Sequence, residues 1–156
     1  MEMGMPTVQE QHKKLQTFAG TWVGEEKMYP SPWDPQGGTA LGKMTSKIDL
    51  DGFFLIQDYL QERDGKVSFR GHGVLGWDAM SKKYTMHWFD SMGMPTHAPA
   101  LGTWEGNTLH YEHTTPMGQQ RYLFITESPT RYTFKMENSQ DGKSWTTLME
   151  GHYSKK

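Results

Sequence analysis

The stretch "LQTFAGTWVGEE", residues 15–26, decides the fold. A short apolar segment runs into Gly20-Thr21-Trp22, and the chain beyond it has the pattern of a strand. Either Gly20 simply ends a helix and Trp22 begins a core, or the pair marks the first strand of a closed sheet. The surrounding chain chooses between them.

Upstream, "TVQEQHKKLQTF" (7–18) is the one segment with a helical pattern. Thr7 is placed to cap it, and Glu10 three residues on completes a capping box. Val8, His12, Leu15 and Phe18 share a stripe, and Gly20 ends the helix.

Downstream, strands are expected at 21–29, 39–50, 53–62, 67–77, 84–91, 100–106, 108–115, 119–128, 131–139 and 145–154. Asp51-Gly52 and Asp64-Gly65 read as hairpin turns. "PSPWDPQGG" and "MGMPTHAP" read as irregular loops. About ten strands with tight connections and one helix predict an all-β fold. A meander leaves sheet edges, and closing the sheet removes them. The expectation is an antiparallel up-and-down barrel of about ten strands, with a β-sandwich as the alternative. The whole chain, 1–156, reads as one domain: helix 7–18 and barrel 20–154.

Composition narrows the function. The 156 residues carry 16 basic and 18 acidic side chains, with both signs scattered. No basic stripe suits nucleic acid. With no cysteine, disulfides, thiolate catalysis and Cys-bound metals fall away. "GFFLI" (52–56) is the longest apolar run, far short of the ~20 residues of a membrane helix. The N-terminus lacks a signal-peptide pattern, so the cytoplasm is the default. Twelve methionines and 13% aromatic residues supply a core and, at a few positions, the lining of a lumen.

"HKKLQTFAGTW" (12–22), "GHGVLGWD" (71–78), "YTMHWFDSMG" (84–93), "LGTWEGNTL" (101–109) and "DGKSWTTLMEGHYSK" (141–155) occur in that order. With this set the chain resembles a bacterial domain-of-unknown-function family of small calycin-like proteins beginning His-x-x-Leu-x-x-Phe-x-Gly-x-Trp. The resemblance implies a barrel of the lipocalin, fatty-acid-binding and nitrobindin type, and no established activity. It implies that Trp22 packs at the closed end beneath a helix. The Arg that lipocalins place beside that Trp has no counterpart, since the last strand ends Tyr153-Ser154-Lys155. Nitrobindin, a more distant relative, holds haem through a histidine near its C-terminus. By that likeness His152 is the position for a haem ligand.

Strand alternation then assigns faces. Tyr84, Met86, Trp88 and Asp90 share one face. Arg70 and His72 oppose Phe69, Gly71, Gly73 and Leu75, where the glycines point to close backbone approach. Tyr111 and His113 oppose His110, so His110 and His113 do not converge on one metal ion. Asp90 is read first as a turn cap, and otherwise as a desolvated carboxylate at a cavity mouth, suited to a general base. Arg70 and Arg121 are candidate counter-ions for a carboxylate ligand, or lie outside the wall. Met94 and His97, with Trp33, are candidates for an apolar lid. The candidate lumen or mouth set is therefore Trp22, Arg70, His72, Trp88, Asp90, Met94, His97, Tyr111, Arg121 and His152. No catalytic or metal-ligand set is assigned.

The expected function is non-enzymatic binding of a small apolar or amphipathic molecule in the barrel. The alternatives are a haem protein, an enzyme with an Asp/His acid–base pair, and a structural protein with a filled barrel. The oligomeric state stays open, a homodimer included.

Overall fold

The structure is a computed structural model that describes residues 4–32, 34–94 and 98–156. Ten strands follow one another: β1 (Gly20–Met28), β2 (Gly38–Asp49), β3 (Phe54–Arg63), β4 (Lys66–Asp78), β5 (Lys83–Asp90), β6 (Ala100–Glu105), β7 (Thr108–Thr115), β8 (Gly118–Ser128), β9 (Arg131–Ser139) and β10 (Thr146–Lys155). Each pairs antiparallel with its chain neighbour, and β1 also pairs with β10, closing the barrel. The sandwich alternative is excluded. Every expected strand is present to within a residue or two.

Alternation builds the wall. On β1, Trp22, Gly24, Glu26 and Met28 are buried, while Thr21, Glu25 and Lys27 are exposed. The turn at Asp64-Gly65 has both residues at positive φ, 52° and 75°, the backbone a two-residue hairpin requires. The expected hairpin at Asp51-Gly52 joins β2 to β3, with Asp49 opposite Phe54, and its connection is a 3₁₀ turn, Leu50–Gly52. The Asp49 side chain caps it, accepting the Leu50 N–H at 2.8 Å.

The helix starts later than expected. α1 spans Glu10–Lys14, and a 3₁₀ turn, Leu15–Phe18, continues it. Thr7 does not cap it. The Gln9 N–H donates to His12 Nδ1 at 2.9 Å, so His12 performs the capping that Glu10 was expected to perform. His12, Leu15 and Phe18 lie three apart and are all buried, which suits the tighter 3₁₀ geometry that eclipses i and i+3.

This segment seals one end of the barrel. Phe18 stacks on Trp104 with ring centroids 5.8 Å apart and meets Phe124 and Tyr132, each at 5.4 Å. Trp22 packs edge-on against Tyr132 at 4.8 Å, and its indole N–H donates to the Phe18 carbonyl at 2.9 Å. Tyr84 Oη donates to the Gln11 carbonyl at 2.9 Å, tying α1 to the wall. The question of Gly20 is answered here. Its φ is 123°, and a Cβ would meet Lys155 Cε at 2.6 Å. That lysine lies in register with Trp22, with Nζ 5.7 Å from the indole ring, within cation–π range. Lys155 therefore supplies the cation that the missing Arg would have supplied.

The barrel wall is thinnest between β5 and β6, which share only three register pairs, from Tyr84–Gly102 to Met86–Ala100. The rest of β5, residues 87–90, pairs only with β4 among the described residues.

Phe18→Ala should cost about 3–5 kcal/mol, the range for emptying a buried aromatic site. Urea denaturation measures it. A loss under about 1 kcal/mol would mean that the plug contributes little.

Candidate functional site

With one end plugged, the lumen opens at the other. A cavity of about 460 Å³ lies there, the scale of a small-molecule site. Ten strands leave such space where eight would nearly fill it. Its floor is Phe124 and Tyr132, the rings that also touch Phe18. Met28, Tyr29, Asp34, Asp90 and Met92 lie toward the mouth.

The two sides differ in chemistry. One is apolar and comes chiefly from β5, β8, β9 and β10: Met86, Trp88, Tyr122, Phe134, Met136 and Met149. Tyr122 and Phe134 stack at 6.4 Å. Trp88 lies across β4, where it is in register with Gly73. A Cβ on Gly71 would overlap its indole, and one on Gly73 would sit 3.1 Å from it. Gly71 and Gly73 of "RGHGVLG" are thus the seat of Trp88, while Gly76 lies under Phe54, which accounts for the close approach read from the sequence.

The other side is polar. Gln57, Tyr59 and Gln61 alternate inward on β3 and line the cavity. Behind them is Glu26, only 2% exposed. Tyr59 Oη donates to its two carboxylate oxygens at 2.7 and 2.6 Å, and Gln61 Nε2 donates at 3.1 Å. The Tyr153 hydroxyl also donates to Glu26. Burial pushes the Glu26 pKa up, opposed by the donors Tyr153, Tyr59 and Gln61 and by the charge of Arg63. Burial and the nearby Glu26 charge push the Tyr59 and Tyr153 hydroxyls up in turn. Next along the wall, Ser46 and Gln57 form a cross-strand pair. They are 3% and 1% exposed, and neither Ser46 Oγ nor Gln57 Nε2 has a hydrogen-bond partner among the described residues. An unpaired buried amide is costly, and of this pair Gln57 lines the cavity.

At the mouth, Asp90 accepts the Trp88 indole N–H at 3.1 Å and the Met92 N–H at 3.0 Å. It is the turn cap first expected, and it also lines the cavity. Burial and the Asp90 charge push the Tyr122 pKa up to about 12. Asp34 is held by Arg63 at 2.9 Å.

Several expected positions are elsewhere. Arg70 and His72 are on the outer face of β4, because the inner face is taken by Phe69 and the glycines under Trp88. His72 pairs with Asp58 at 2.8 Å. Arg121 also faces outward, bonded to Glu137 at 2.7 Å and lying 4.0 Å over the Trp145 ring. His152 is exposed on the outside of β10, 3.0 Å from the Thr133 hydroxyl. Trp22 and Tyr111 point inward but are buried outside the cavity, Trp22 in the plug and Tyr111 against Phe124. Met94 is 72% exposed near the mouth and does not line the cavity. His97 and Trp33 fall outside the described residues.

Haem bound through His152 does not fit this geometry, because that side chain is outside the barrel and no histidine among the described residues lines the cavity. No Asp90–histidine pair is assembled among the described residues either. Nor is there a group of three metal-ligating side chains among them.

Sequence reasoning missed Glu26, Gln57, Tyr59 and Gln61. Trp22 was the available signal for Glu26, since positions four apart on a strand share a face. On β3 both faces of "FLIQDYLQER" mix polar and apolar residues, so parity alone leaves its inner face undetermined.

The chain belongs to the protein family of unknown function DUF1579, whose model matches residues 7–155. No relative was found among curated proteins. Among solved structures it is similar to Rv2717c from M. tuberculosis, at 11% identity, with 96% of this chain and 99% of that one covered and a TM-score of 0.70. It is also similar to the S-type phycobiliprotein lyase CPES from Guillardia theta, at 9% identity, with 94% and 92% covered and a TM-score of 0.66. At these identities the likeness establishes the barrel fold.

Two measurements probe the polar side. A buried carboxyl whose folded pKa is raised holds its proton longer than in the unfolded chain. Stability then falls as pH rises from the ordinary glutamate value to the raised one, by at most about 1.4 kcal/mol per pH unit. His12 and His113, lowered by burial, act oppositely, so the difference from Glu26→Gln isolates the carboxyl. The variant should gain on the wild type as pH rises through that window, and a constant difference between pH 4 and 8 would refute the raised pKa. Separately, Gln57→Met in ligand-free protein should raise stability by about 1 kcal/mol by removing the unpaired amide. A loss instead would show that the amide is already satisfied.

Proposed function

We propose that this DUF1579 barrel binds one small apolar or amphipathic molecule, carrying or sensing it rather than transforming it. The observation that carries this reading is the cavity itself: about 460 Å³, open at one end and lined by Met, Phe, Tyr and Trp with a few convergent polar groups. Such a lining is the common character of ligand pockets. Methionine side chains adapt their shape to varied occupants. Gln57 offers an unmet amide donor at the cavity wall, as a site prepared for a partner would.

The phycobiliprotein lyase with a similar barrel makes a linear tetrapyrrole one reasonable probe, as a choice of experiment and not as an assignment. Haem ligated by His152 is not part of this reading.

Native mass spectrometry of protein purified gently from its host should reveal a stoichiometric small-molecule adduct. In parallel, the neutral fluorophore N-phenyl-1-naphthylamine should bind saturably, one per chain. Met136→Trp, which places a larger ring in the void, should weaken it at least about tenfold, or 1.4 kcal/mol, with the fold intact by circular dichroism. A clean apo mass together with no saturable probe binding would overturn the proposal.

A further inference from the structure

The charges around the cavity have one sign. Asp34 and Asp90 line it, and Glu26 lies directly behind Tyr59, Gln61 and Tyr153. Among the described residues, no lysine, arginine or histidine lines it. The nearest guanidinium at the mouth, Arg63, is engaged by Asp34 at 2.9 Å. Asp90 forms no ion pair among the described residues; its partners are two neutral N–H groups, from Trp88 and Met92. Among the described residues each of its oxygens accepts one hydrogen bond, and a carboxylate oxygen can accept two. Trp88, which turns its N–H edge to Asp90, and Tyr122 line the cavity beside it. Deeper in, the polar groups are a neutral amide and hydroxyls, which offer no counter-charge to an anion.

A carboxylate entering this lumen would be desolvated against acidic groups and left unpaired, a costly arrangement. An ammonium would meet Asp90 at the mouth while its apolar body filled the Met and Phe wall. We infer that the cavity selects an apolar monocation, an alkyl or aryl amine in its ammonium form, with Asp90 as its counter-ion, and rejects the matching carboxylate. This rests on the binding role proposed above and names its ligand class.

The test is competition against N-phenyl-1-naphthylamine by three ligands of one chain length: decylammonium, decanol and decanoate. All are used below micelle formation at pH 7 and 150 mM salt, where long-range surface charge is screened. Decylammonium should compete best, and decanoate at least about tenfold more weakly than decanol, a difference of 1.4 kcal/mol. Asp90→Asn should bring decylammonium down to the level of decanol and leave decanol unchanged, so decanol reports that the cavity is intact. Glu112→Gln removes an exposed acid on the outer wall and should leave the order unchanged.

If decanoate matches or exceeds decylammonium, or if Asp90→Asn leaves their ratio unaltered, the inference fails while the cavity reading stands. If the fluorophore itself does not bind, both fail together.

Discussion

The hydrogen bond from the Trp22 indole to the Phe18 carbonyl joins the N-terminal helical segment to the first strand, and the rest of the molecule is arranged around it. Without it, a ten-stranded up-and-down barrel is a tube with two equivalent mouths. With it, Phe18 is held among Trp104, Phe124 and Tyr132, and one mouth becomes a floor. The indole N–H would otherwise be a buried donor without an acceptor, so packing and hydrogen bonding demand the same backbone path. Gly20 permits that path by adopting a positive φ and leaving room for Lys155.

A second consequence of the floor is that the lumen has depth, and its chemistry changes with depth and side. Guanidinium groups that a fatty-acid-type barrel would turn inward are turned outward. Arg121 satisfies itself on Glu137 and Trp145, and Arg70 is exposed to solvent. The interior keeps its acids instead, with Glu26 wrapped by donors from β3 and β10. Carboxylates buried this way are tolerated because hydroxyl and amide hydrogens replace the lost water.

The strand order was legible in the sequence because turn chemistry and apolar alternation agree at almost every junction. Asp64-Gly65 marks a connection that the structure keeps. The resemblance carried by Trp22 and the later motifs led to the barrel, and the family match supports the same reading. The inner face was harder to read. In β4, Gly71 and Gly73 interrupt the inner face between Phe69 and Leu75, and the bulk that fills their space, Trp88, comes from β5. A pattern read one strand at a time cannot show that the hydrophobic payload of a site belongs to its neighbour. The carbonyl that Trp22 needs and the histidine that caps α1 are likewise contacts of a few residues' reach, but their geometry depends on whether the turn is α or 3₁₀. The cavity lies a further step away, since its volume is what remains after ten strands are closed, a number that turn signals leave undetermined.

The closing seam also has a bearing on how the chain is made. β1 is bordered by β2, its successor, and by β10, the last strand. Glu26 and Tyr153 are bonded across 127 positions. During vectorial synthesis β1 leaves the ribosome early, yet one of its edges and one donor to its buried acid become available only when β10 follows. Until then a nascent sheet of up to nine strands carries two open edges, and Glu26 is better served by solvent than by the interior. The charge on that side chain therefore opposes premature compaction of an incomplete barrel, and the final strand converts it from an obstacle into a bonded part of the wall.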